Sequence, residues 1–178
     1  MGNIYHARGE TRTALNYYQQ ALEYTRENLP EQDLAHLYCN ISMLQHILMQ
    51  YESAYENAEK GIKCAKTPVN KYACMLRKCM LLYALNRPEE FKSYYQECMA
   101  MAKKYGQTRK NDLSKLKLFH YILNQQYEEA HALADSATTQ HDRIAYHIDI
   151  YAKEQKYQEA FYELKKLHTL KDSLNQLI

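Results

Sequence analysis

The chain has 178 residues, 46% hydrophobic and 25% charged, and its 23 basic and 21 acidic side chains leave a formal net charge of +2. That balance, with no long run of like charge, excludes the basic footprint of a nucleic-acid binder. Only 4 Gly and 3 Pro are present, too few for a turn-rich β protein, while Ala, Leu, Glu, Lys, Gln and Met supply strong helix formers, so the chain reads as all-α.

In chain order the apolar periodicity predicts helix pairs at 1–8 and 11–28, 31–49 and 52–66, 70–85 and 88–105, 109–124 and 127–139, and 142–154 and 157–169. Punctuation falls between them: Gly9-Glu10 before the second helix, Thr67-Pro68 between two pairs, Asn86-Arg87-Pro88 as a cap with a first-turn proline, and Gly106 as a stop. The longest apolar run, Cys79 to Leu85, is seven residues, far short of the roughly twenty that span a membrane. The opening residues Met1 to His6 lack the apolar core and cleavage site of a secretory signal. Five cysteines, Cys39, Cys64, Cys74, Cys79 and Cys98, contain no C-x-x-C pair, which gives neither a disulfide framework nor a zinc finger and leaves them as small hydrophobes.

One motif recurs at the start of the second helix of each pair. It reads Thr11-Arg12-Thr13-Ala14, Tyr51-Glu52-Ser53-Ala54, Pro88-Glu89-Glu90-Phe91, Tyr127-Glu128-Glu129-Ala130 and Tyr157-Gln158-Glu159-Ala160, with steps of 40, 37, 39 and 30 residues between the last positions. A period in that range is the mark of stacked helical hairpins. With Gly2, Tyr5, Ala14, Tyr18 and Ala21, then Ser42, Ala54 and Gly61, Cys79, Tyr95 and Cys98, Tyr121, Ala130 and Ala137, and Tyr151 and Ala160, the chain resembles the tetratricopeptide repeat family. The resemblance implies a right-handed α-solenoid of about five degenerate hairpins, at about 1–30, 31–67, 68–106, 107–140 and 141–169, followed by a helical extension or linker at 170–178. Phe91, Leu118, Ile148 and Leu167 stand where the family places small residues, so those hairpins are expected to be splayed or differently packed. By phase, the first hairpin is expected to lack its opening residues.

The same resemblance places a concave groove on the first helix of each hairpin. It runs through Asn3 and His6, then His36, Cys39, Met43 and His46, then Leu76, Met80 and Tyr83, then Lys115, Phe119 and Ile122, and Asp149. The partner-binding residues expected from it are His36, Cys39, Met43, His46, Leu76, Met80, Tyr83, Phe119 and Ile122. Flexible thioethers and aromatic rings suit such a surface to a protein or peptide partner. His36, Cys39, Met43 and His46 also form a row of soft ligands on one helical face, but the row is about 15 Å long at 1.5 Å per residue, which argues against a shared metal ion. The histidines, among them His120, His131, His141, His147 and His168, show no nucleophile or metal-protease pattern, and the Glu89-Glu90 and Glu128-Glu129 pairs open helices, where carboxylates favour the positive end of the dipole. No enzyme activity, cofactor or metal is therefore expected.

At the carboxyl end, Leu170-Lys171-Asp172-Ser173-Leu174-Asn175 is similar to the segment that closes repeat regions of bacterial sensor histidine kinases and related transcriptional regulators. That resemblance implies a signal-transduction role, with a sensing region outside the cytoplasm and a signal passed through Leu164 to Leu177. The unpaired cysteine count leans the other way, towards a reducing compartment. A free-standing adaptor and a scaffold that forms homodimers are the alternatives.

Overall fold

The computed structural model describes residues 1–29, 32–105 and 110–175. Among them the chain forms ten helices: α1 (Gly2–Ala7), α2 (Thr11–Asn28), α3 (Ala35–Ile47), α4 (Tyr51–Cys64), α5 (Pro68–Ala84), α6 (Pro88–Tyr105), α7 (Lys110–Leu123), α8 (Tyr127–Asp135), α9 (Gln140–Lys153) and α10 (Tyr157–Asn175). The expected stop at Gly106, the start at 31 and the last residues of the carboxyl extension lie outside the described residues.

Each odd-numbered helix turns into its even-numbered partner through the same closure. The residue two before the second helix is left-handed: Gly9 at φ +76°, Met49 at 59°, Asn86 at 54°, Gln125 at 58° and Gln155 at 62°. The N–H after it reaches back five residues, from Glu10 to Tyr5, Gln50 to Gln45, Arg87 to Leu82, Gln126 to Tyr121 and Lys156 to Tyr151, each at 2.9 Å. These bonds cap the otherwise orphan carbonyls of the first helix. The carbonyl of that same residue then accepts from the N–H of Ala14, Ala54, Phe91, Ala130 or Ala160 at 2.9–3.0 Å. The sequence marker is thus the residue whose amide closes the first turn of each second helix.

The chain divides into two compact units, Met1–Leu113 and Ser114–Ile178. In the first, α2 packs on α3 through Ala14, Tyr18, Leu37, Ile41 and Leu44. Helices α3 and α5 meet through Ala35, Cys39, Ala73 and Cys74, and α4 meets α5 through Ala54, Ala58 and Leu81. Gly61 makes this approach feasible, because a Cβ there would lie 2.6 Å from Cys74 Sγ and 3.2 Å from Tyr38 Cβ. α5 is buried along most of its length, from Tyr72 to Leu82, with Arg77 and Lys78 half-buried. A helix apolar on nearly every face belongs in the middle of a unit, where each fully buried Leu contributes about 1.5–3 kcal/mol.

Phe91, expected to splay its hairpin, is fully buried between Tyr83 and Tyr95, with ring centroids 6.4 and 5.8 Å away. Its extra volume is absorbed by an aromatic stack. In the second unit, α9 packs on both α8 and α10, and its core side chains are Ile144, Tyr146 and Ile150.

The described links between hairpins are held by side chains. Asp33 Oδ1 accepts from the Ala35 N–H at 2.9 Å, and its Oδ2 accepts from the Lys66 N–H at 3.0 Å and Asn70 Nδ2 at 2.9 Å. One carboxylate therefore ties the entry to α3 to the entry to α5. Thr67 and Thr139 each accept from the N–H three residues on, at 3.2 and 3.0 Å, as side-chain caps of α5 and α9. These caps set three starts: α3 begins at Ala35, α5 at Pro68 and α9 at Gln140.

Candidate partner-binding surface

The surface expected from the sequence divides by accessibility. On α3, His36 is exposed and Met43 and His46 are half-buried. Spacings of seven and three residues put them on one face. His36 Nδ1 lies 2.9 Å from the Asp33 carbonyl, which orients its ring at the start of the helix. His46 meets Tyr51 edge-on at 5.5 Å and 85°, and Met43 packs partly against the α2–α3 core. On α5, Tyr83 is half-buried and edge-on to Phe91.

Cys39, Leu76, Met80, Phe119 and Ile122 are all buried, at 5%, 1%, 3%, 4% and 3% exposure. Their physical role in the folded chain is packing: Cys39 sits in the α3–α5 contact, and Leu76 and Met80 lie on the enclosed helix α5. The side chains of the first unit that a partner can reach from this set are His36, Met43, His46 and Tyr83. In the second unit, Lys115 Nζ stands 5.8 Å over the Phe119 ring. Burial pushes the Asp149 carboxyl above the usual carboxylate range, while Lys115 and Lys153 oppose that shift. The accessible character there is charged.

Two clusters escaped the reading of spacing. Lys78, on α5, pairs with Glu59 of α4 at 2.9 Å and lies 5.2 Å from the Tyr55 ring and 4.8 Å from the Tyr94 ring. Its hydrogen bond, against the cost of burial, holds Glu59 below the usual carboxylate range. This cluster fastens three helices and leaves Lys78 mostly covered. The second is a pair of histidines, His131 and His147, whose signal was two helical faces: His131 with Asp135 four apart, and His147, Tyr151 and Glu154 four and three apart. No group of three or more His, Cys, Asp or Glu side chains among the described residues converges on a metal-sized site. No helix among them is long and apolar enough to cross a membrane.

Ten helices packed as sequential pairs, each pair closed by one repeated turn, define a helical-repeat protein. No family model and no curated protein matches the chain. Its structure is similar to two crystal structures from Podosopora anserina, described as a kinesin light chain with nearly identical TPR-like repeats. The first, a point variant, is 16% identical with a TM-score of 0.59, covering 98% of this chain and 93% of that one. The other is 15% identical with a TM-score of 0.59, covering 97% and 92%. The fold is thus TPR-like over almost the whole chain.

Proposed function

We propose that the chain is a non-catalytic docking scaffold that holds a peptide segment of a partner protein against the first helices of its hairpins. The observation that carries this reading is the accessible row of His36, Met43 and His46 on α3, with Tyr83 on α5, its packed neighbour. Thioether, imidazole and phenol side chains offer adaptable apolar area with polar edges, the chemistry that receives an amphipathic segment. The finer role, as the docking or sensing region of a bacterial signalling regulator, is supported by the carboxyl segment similar to those regulators, since α10 continues unbroken through it to Asn175.

The test is selection of a displayed peptide library on the folded chain, followed by titration of the selected peptide against Met43→Glu and Tyr83→Ala. A loss of tenfold or more in affinity, with helicity unchanged, is the expected result. Equal affinity in both variants would remove this face from consideration.

A dimerisation scaffold is the second reading. It is favoured by Tyr157, Phe161, Tyr162 and Leu164 of α10, which are 51–67% exposed. Sedimentation across a hundredfold range of concentration distinguishes it from a monomeric adaptor.

A further inference from the structure

Helices α8 and α9 are joined by a chain of four titratable side chains. Glu154 Oε2 lies 3.0 Å from His131 Nε2, His131 Nδ1 lies 2.9 Å from His147 Nδ1, and His147 Nε2 lies 3.0 Å from Asp135 Oδ1. The two imidazole planes are 26° apart with centroids separated by 5.0 Å. A five-membered ring of bonds near 1.3 Å puts each nitrogen about 1.1 Å from its centroid. Two such radii plus the 2.9 Å contact reproduce the centroid separation, so the rings meet edge to edge, with the Nδ1 atoms head-on. Tyr151 lies against both, 4.8 Å from His131 and 5.8 Å from His147.

Counting hydrogens fixes the state of this chain. Ionised carboxylates only accept, so each Nε2 carries a hydrogen and donates it outward. Glu154 is held ionised: burial opposes the charge, but Lys156 at 2.8 Å and His131 together keep its carboxyl below the usual range. Both Nδ1 lone pairs then point at one another, and a 2.9 Å contact between them requires one hydrogen. Three hydrogens on four nitrogens make one imidazole cationic and the other neutral. The groups facing the pair are Asp135 from α8, Tyr151 from α9, and Glu154 with its partner Lys156 from the turn that follows. Lys166 of α10 acts on Tyr151 rather than on the pair itself.

We propose that His131 and His147 share a single proton between two carboxylates, and that this makes the joint between the fourth and fifth hairpins a latch sensitive to pH in both directions. A second proton places two N–H groups head-on and repels. Removal of the shared proton leaves two lone pairs in contact. The unfolded chain, whose histidines are not held head-on, takes up the second proton and gives up the shared one more readily than the latched pair. Linkage then gives a stability maximum where one proton is shared, falling on both sides.

The experiment uses the full chain. Long-range proton–nitrogen NMR of the wild type near pH 6.5 is expected to show both Nε2 atoms protonated and the two Nδ1 atoms sharing one hydrogen. Urea unfolding from pH 5 to 8 is expected to give a folded-to-unfolded ratio that drops about tenfold from its maximum towards each end. His147→Gln should flatten that curve, while His141→Gln, changed at an exposed histidine, should leave it intact. Two separately protonated Nδ1 atoms, an unprotonated Nε2, or the same curve in wild type and His147→Gln would overturn the proposal. The NMR result decides it even if His147→Gln does not fold.

Discussion

The five turns inside the hairpins share one hydrogen-bond pattern and one left-handed position, whereas the described links between hairpins are held by side chains, Asp33 in one and a capping threonine in each of two others. The difference follows from what each must join. A turn within a hairpin connects two helices at a fixed, close distance, and a backbone closure satisfies that without help from any particular side chain. Only one of the five left-handed residues is glycine, so the geometry outweighs the roughly 1 kcal/mol that an L side chain costs there. A link between hairpins joins units of different length and must find its own caps. Asp33, Thr67 and Thr139 supply them, and the spacing between hairpins varies accordingly.

Substitutions at the contact between hairpins should be felt most. Gly61→Leu drives a side chain into Cys74 and Tyr38 and is expected to cost about 3 kcal/mol, read as a fall in the urea midpoint with unchanged slope. Asp33→Ala strands the donors it ties together from two links and is expected to cost about 2 kcal/mol, softened by their access to water.

The same carboxylate has a sign under acid. Burial alone would raise it, but the hydrogen bonds from Asn70, Ala35, Lys66 and Thr67 outweigh burial and hold it below the usual range. Its contribution is whole above the ordinary carboxylate value of about 3.9, and is lost as pH falls through the lower folded value. Asp33→Asn should therefore remove part of the acid slope of stability.

The smallest effects sharpen the contrast best. Met49→Gly should stabilise the chain by about 1 kcal/mol, because it relieves a left-handed side chain that is 76% exposed. Thr67→Ala should destabilise by about 1 kcal/mol through loss of a cap. If both changes move stability the same way, the division between backbone-closed turns and side-chain-capped links fails.

This division also explains what could be read before the structure was known. The second helices α2 and α6 match the expected spans at both ends, and α4, α8 and α10 begin at or within one residue of them. The marker amide is part of the closure, so composition at that position carries geometry. The starts of α3, α5 and α9 were displaced because Asp33 and the capping threonines act in the links, and Asp33 does so on residues more than thirty positions away. Periodicity records which face is apolar and says nothing of such a bond. Of the residues expected on α3, His36, Met43 and His46 are accessible and Cys39 is buried. On α5 only Tyr83 is accessible and Leu76 and Met80 are buried, because a helix apolar on nearly every face offers no phase to separate a groove from a core. The histidine pair was hidden for a different reason: each half is an ordinary i, i+4 pattern, and only packing of α8 on α9 joins them.

The thiols offer a final consequence. Cys39, Cys74, Cys79 and Cys98 are buried and Cys64 is half-covered. Contact with Cys98 and burial push the Cys79 thiol up, and burial with the nearby Asp33 charge pushes Cys64 up. Thiolate is the reactive form, so the native chain presents an alkylating reagent with one slow target and four shielded ones. The number of labels counted on intact molecules by mass spectrometry thereby becomes an internal clock for opening, advancing as α3, α5 and α6 each surrender their protection.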